Sequence, residues 1–95
     1  MIESIAKVIS IDELRKYVFE TPIYIETKQS LRPAFFMRFV RKPDFLCKNE
    51  KERWMVNLMT PQKLTKNWEC RLYNKTWRVW TSKPTREQQV EVMWE

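Results

Sequence analysis

The chain has no glycine, no histidine, only two cysteines and no long apolar run. Each absence excludes something. Without glycine there is no Gly-rich phosphate loop and no dinucleotide fingerprint. Without histidine the commonest general base and metal ligand is gone. Cys47 and Cys70 without a histidine argue against a tetrahedral zinc site within one chain. No apolar stretch reaches the 18 or more residues of a membrane-spanning helix. Residues 1–10 carry Glu3 and Lys7 and lack the apolar stretch of a signal peptide, so the expectation is a cytoplasmic protein with free thiols. An enzyme, a cofactor and a bound metal are not expected.

What remains is a chain of 95 residues, 43% hydrophobic and 14% aromatic, with five Trp, five Phe and three Tyr. That is too apolar for a disordered chain and short enough for one domain, 1–95, with one modest core. Charge is unevenly placed. The net +6 comes from residues 28–83, which hold 14 basic and 4 acidic side chains, while both flanking segments are net negative. Such a segment attracts phosphate backbones or acidic protein surfaces, and it also simply solvates a small domain.

Ser10 followed three residues later by Glu13 is a capping-box pattern, and Ile11, Leu14 and Val18 fall on one helical face. A helix is expected over residues 11–19, ending before Thr21-Pro22. Residues 2–9 either extend it or form a separate turn. From Pro22 the period becomes two. Ile23 and Ile25 alternate with Tyr24 and Glu26, and Phe35, Met37 and Phe39 with Phe36, Arg38 and Val40. Trp54, Val56 and Leu58 alternate with Arg53, Met55 and Asn57; Trp68, Cys70 and Leu72 with Glu69, Arg71 and Tyr73; Trp77 and Val79 with Arg78 and Trp80. Five such runs predict an antiparallel sheet. Turns are expected at residues 48–51 and 73–75. Asn49 and Asn74 are the candidates for positive φ in a chain without glycine. Thr85 is placed to cap a short C-terminal helical turn, from which Val90, Val92 and Trp94 could fold back on the sheet. The expected class is α+β: an N-terminal helix packed on a curved antiparallel sheet of four or five strands.

The suggestive chemical feature is the interleaving of basic and aromatic side chains at Arg53-Trp54, at Lys66-Asn67-Trp68 and across residues 77–80. Rings stack on unpaired bases and cations pair with phosphate. Core packing is the competing account, and it is the expectation for Trp54, Trp68 and Trp77, with Trp80 divided between core and surface. Residues two apart on a strand share a face, so Arg78 and Trp80 form the better surface pair, joined by Arg38, Met55, Arg71 and Tyr73. Asp44, Glu50 and Glu52 read as turn residues, and Cys47 beside Lys48 has no histidine to activate it.

Residues 70–95 carry a resemblance. The run Leu72-Tyr73-Asn74-Lys75-Thr76-Trp77-Arg78-Val79-Trp80, with Pro84-Thr85 and a final Trp94-Glu95, resembles the ending of a family of small bacteriophage and prophage proteins of Firmicutes. Those commonly read Tyr-Gly-Lys-Thr-Trp-Arg-Cys-Trp before Pro-Thr. Here Asn74 stands at the Gly, as suits a positive-φ turn, and Val79 stands at the Cys, which speaks for packing there. The opening of residues 11–26 is loosely similar too. The resemblance brings no activity with it. It implies an accessory or counter-defence role, of which anti-CRISPR proteins are one kind, exerted in the host bacterial cell by occupying a surface of a host machine. The leading expectation is therefore a non-enzymatic inhibitor that binds a bacterial defence protein or ribonucleoprotein, such as a CRISPR effector or its RNA. Its partner-binding surface is expected to comprise Arg38, Arg53, Arg71, Arg78 and Trp80 with Lys48, Lys51 and Lys75 at turns. The alternatives are a direct binder of single-stranded RNA or DNA, and a homo-oligomeric assembly protein.

Overall fold

A computed structural model describes residues 5–48, 53–73, 75–92 and 94. Among these residues, six antiparallel strands, rather than the expected four or five, and two short helices make up a small, sheet-rich fold. The strands are β1 (Val8–Ile9), β2 (Thr21–Thr27), β3 (Leu31–Arg41), β4 (Trp54–Met59), β5 (Thr65–Glu69) and β6 (Trp77–Trp80). The helices are α1 (Ile11–Leu14) and α2 (Arg86–Glu91). The sheet order is β1-β6-β2-β3-β4-β5, so two hairpins, β2–β3 and β4–β5, lie side by side and β6 inserts between β1 and β2.

The expected helix over residues 11–19 shrinks to one turn. Its cap forms as read: the Ser10 hydroxyl accepts from the Glu13 amide at 3.1 Å and lies 3.2 Å from the Glu13 carboxylate. Nine residues are too few to hold a helix on propensity alone. The sheet claims the chain first, because the Glu20 amide already donates to the Phe36 carbonyl at 2.7 Å. Of the residues left ambiguous ahead of α1, Val8 and Ile9 become β1, with Ile9 fully buried on the core face.

Strict alternation along β3 also fails at one point. The register slips between Phe36 and Arg38, a bulge at Met37. It puts Phe36 and Phe39 on the core side together, ring centroids 5.7 Å apart, and leaves Phe35 and Arg38 on the opposite face. After Glu69 the chain leaves the sheet for a 3₁₀ turn, Cys70–Leu72. Cys70 and Leu72 still pack against the core, so a period of two survives there without a strand. The core gathers Ile9, Leu14, Ile23, Ile25, Ala34, Phe36, Val56, Leu58, Tyr73, Trp77 and Val79 on one face of the sheet.

The β4–β5 turn solves a problem set by the missing glycine. The Lys63 amide donates to the Thr60 carbonyl and the Thr60 amide to the Leu64 carbonyl, both at 2.9 Å. This three-residue loop needs a left-handed residue, and Lys63 supplies it at φ 62°. Glu20 does the same before β2 at φ 67°. Asn49 and Asn74, and most of the expected turn at residues 48–51, lie outside the described residues. In the β2–β3 turn the Thr27 hydroxyl accepts from the amides of Gln29 and Ser30 at 3.2 and 3.1 Å. At the C-terminus Thr85 caps α2 as read, and Gln88 completes a capping box with it.

Candidate functional site

Alternation along β6 predicts Arg78 and Trp80 on one outward face. They share that face, but the C-terminal segment covers it, and each is only 1% exposed. Arg78 stands opposite Glu26 on β2 and donates from Nε to its Oε1 at 2.6 Å. Its other two nitrogens donate to the carbonyls of Val92 at 2.6 Å and Gln89 at 2.9 Å, satisfying the end of α2. Trp80 Nε1 donates to the same Glu26 oxygen at 2.8 Å, and Gln89 Nε2 donates to Glu26 Oε2 at 2.9 Å. The guanidinium also lies over the rings of Trp94 and Trp80, at 4.2 and 5.2 Å from their centroids. Glu26 is 6% exposed, so the pair is a satisfied buried ion pair and not a binding surface.

The remaining members of the expected surface do not converge. Arg38 is exposed on the face of Asn57, but far along β3 from Arg78. Arg71 sits in the 3₁₀ turn, not on a strand, and donates to Glu69 at 2.6 Å. Glu69 also accepts from Lys42 at 3.0 Å, and these two cations hold its carboxyl below the ordinary carboxylate range. Arg53 is half-buried, with its Nε shielded from water. Lys48 is exposed in the β3–β4 connection and Lys75 is exposed just before β6, while Lys51 lies outside the described residues. Among the described residues, the expected members therefore do not share one cationic sheet face: Arg78 is buried against Glu26 and Arg71 leaves the sheet in the 3₁₀ turn. Among the tryptophans, Trp77 is fully buried as expected and Trp68 half-buried, whereas Trp54 is 37% exposed at the rim.

Burial pushes the Cys70 thiol up, so it is protonated at neutral pH and a poor nucleophile. Burial likewise raises the Tyr73 hydroxyl above the usual tyrosine range. Among the described residues no three His, Cys, Asp or Glu side chains are grouped to hold a metal. Nor does any helix among them have the length and apolarity to cross a membrane.

A different concentration of charge emerges from topology. The β2–β3 and β4–β5 turns open at the same end of the sheet, where β6 also begins, since Trp77 pairs with Thr27. Lys28 occupies the first turn, Arg32 the start of β3, Lys63 the second turn and Lys66 the start of β5. Lys75 precedes β6, and all five are exposed. No Asp or Glu occurs in residues 27–43 or 53–68. Arg32 borders a shallow cleft of about 380 Å³ with Pro33, Thr60, Pro61, Gln62 and Leu64. Leu64 is 67% exposed there, and Lys66 Nζ lies 4.8 Å from the centre of the Trp68 ring. Lys28, Arg32 and Lys63 were not among the expected site residues. The two carboxylate-free stretches were a visible signal, but only the pairing of hairpins side by side brings them to one end.

The chain matches no protein-family model, and no curated protein or solved structure matches it.

Proposed function

We propose that this is a non-enzymatic binding protein that grips an anionic partner at the hairpin end of its sheet. In the sense its resemblance implies, it is a phage counter-defence inhibitor of the anti-CRISPR type, acting stoichiometrically on a bacterial defence nucleoprotein. One observation carries the binding reading: Lys28, Arg32 and Lys63 are exposed at the two turns that open at one end of the sheet, in stretches of chain without Asp or Glu, and Arg32 borders an open cleft there. Exposed cations at adjacent turns create a positive potential that steers an acidic partner and is screened by salt over about 8–10 Å. The Arg78–Trp80 pair serves this role only indirectly, by holding the C-terminal segment in place.

The test is affinity capture from a bacterial lysate, with and without nuclease, comparing the natural protein with Arg32→Glu/Lys63→Glu. A partner retained after nuclease and lost by roughly tenfold or more in the double variant is the expected result. A partner retained only without nuclease identifies RNA or DNA as the ligand, the second reading that the Lys66–Trp68 stack favours. Undiminished capture by the double variant, with its thermal unfolding unchanged, overturns the reading.

A further inference from the structure

The two edges of the sheet differ. At one edge β1 is two residues long, and Lys7 beside it is tied to Thr81 through both its amide and its carbonyl. The opposite edge is β5, and hydrogen-bond parity fixes which of its groups look outward. Thr60 and Leu64 form the bonded pair that closes the turn. Bonded and non-bonded pairs alternate in an antiparallel ladder. Lys66 and Trp68 therefore bond inward to Leu58 and Val56, while Thr65, Asn67 and Glu69 turn their N–H and C=O groups away from β4. The outward carbonyl of Glu69 is already occupied, since Trp77 Nε1 donates to it at 3.2 Å. Among the described residues nothing closes on the backbone of Thr65 or Asn67, and residues 65–67 are all exposed.

We infer that β5 receives an extended acidic segment of a partner protein as an added strand, bonded to Thr65 and Asn67 and placing carboxylates beside Lys66 and Lys63. This rests on the proposed grip of the hairpin end and specifies its ligand. Main-chain bonds would give affinity and side-chain charge would give choice, the usual division in strand addition. Charge decides between the possible occupants. A second copy using both open residues would pair Thr65 with Asn67 across a two-fold axis, setting Lys66 directly against its own counterpart. Like charges opposite each other destabilise a strand pair. An acidic strand meets the exposed ammonium groups of Lys66 and Lys63 there, and the Glu69 carboxylate farther along β5 is already held by Lys42 and Arg71.

The probe is an acetylated, amidated heptapeptide of alternating Glu and Val, titrated into the full chain while amide hydrogen exchange is followed by NMR. Exchange at Thr65 and Asn67 is expected to slow at least tenfold at saturation. The same peptide N-methylated at alternate residues, or with Lys for Glu, is expected to bind at least tenfold more weakly. Lys66→Glu should weaken the Glu peptide similarly and leave thermal unfolding unchanged. Absent binding at millimolar peptide, equal binding of the N-methylated form, or unaltered exchange at Thr65 and Asn67 would each overturn strand addition. If lysate capture still depends on Arg32 and Lys63 while the peptide gives no such protection, the binding reading stands and only the strand falls.

Discussion

Arg78 and Arg32 lie on strands of one sheet and have opposite fates. Arg78 meets Glu26 across the β2–β6 pair, two helix-end carbonyls and two indole rings, and it is withdrawn from solvent. Arg32 starts β3 beside the β4–β5 turn, in a stretch of chain without Asp or Glu, and stays in water. The same side chain thus builds the fold at one place and presents charge at the other. What differs is the set of groups the topology brings to it. A buried guanidinium is tolerated when it is paired and its nitrogens find acceptors, and Nε, Nη1 and Nη2 of Arg78 each donate one hydrogen bond.

Truncation is the strongest way to break that comparison. Arg78→Ala leaves Glu26 buried without its cation and frees the end of α2, so a loss of about 3–5 kcal/mol is expected in denaturant unfolding. Arg32→Ala should stay within about 0.5 kcal/mol, as for other exposed cations. Equal losses would erase the distinction between the two regions. The hairpin end can next be sharpened at Lys63. Replacing this left-handed lysine by glycine relieves a strain of about 1–2 kcal/mol per residue and adds a smaller entropic cost, so Lys63→Gly should gain about 0.5–1 kcal/mol. An unchanged or lowered denaturation midpoint would show that the turn is not strained. The smallest effect concerns pH. Glu69 has a lowered pKa in the fold, so its contribution is fully present above the unfolded value of about 4.3 and is lost as pH falls through the lower folded one. Acid titration of stability should therefore be shallower below about pH 4 in Glu69→Gln than in the natural chain.

Much of the fold was legible. Four of the five period-two runs lie on strands, and both helix starts carry their caps as the residues suggest. The errors have physical causes. The run through Cys70 and Leu72 packs its apolar side chains inward, and a 3₁₀ turn achieves this as well as a strand. The Met37 bulge leaves no mark in composition, since Phe35, Phe36, Phe39 and Val40 around it are all apolar and fit either face. The site was less legible. The pairing of Arg78 and Trp80 on one face was correct, but what covers that face comes from residues 85–94, and parity does not report on cover.

By itself the sequence determined the excess of positive charge, the carboxylate-free stretches, the caps and the alternation, because these depend on neighbours a few residues apart. Tertiary structure alone decided which cations meet water. That choice depends on contacts such as Arg78 with Glu26 and Arg32 with the β4–β5 turn, between residues about fifty and thirty positions apart in the chain, and no local rule specifies them.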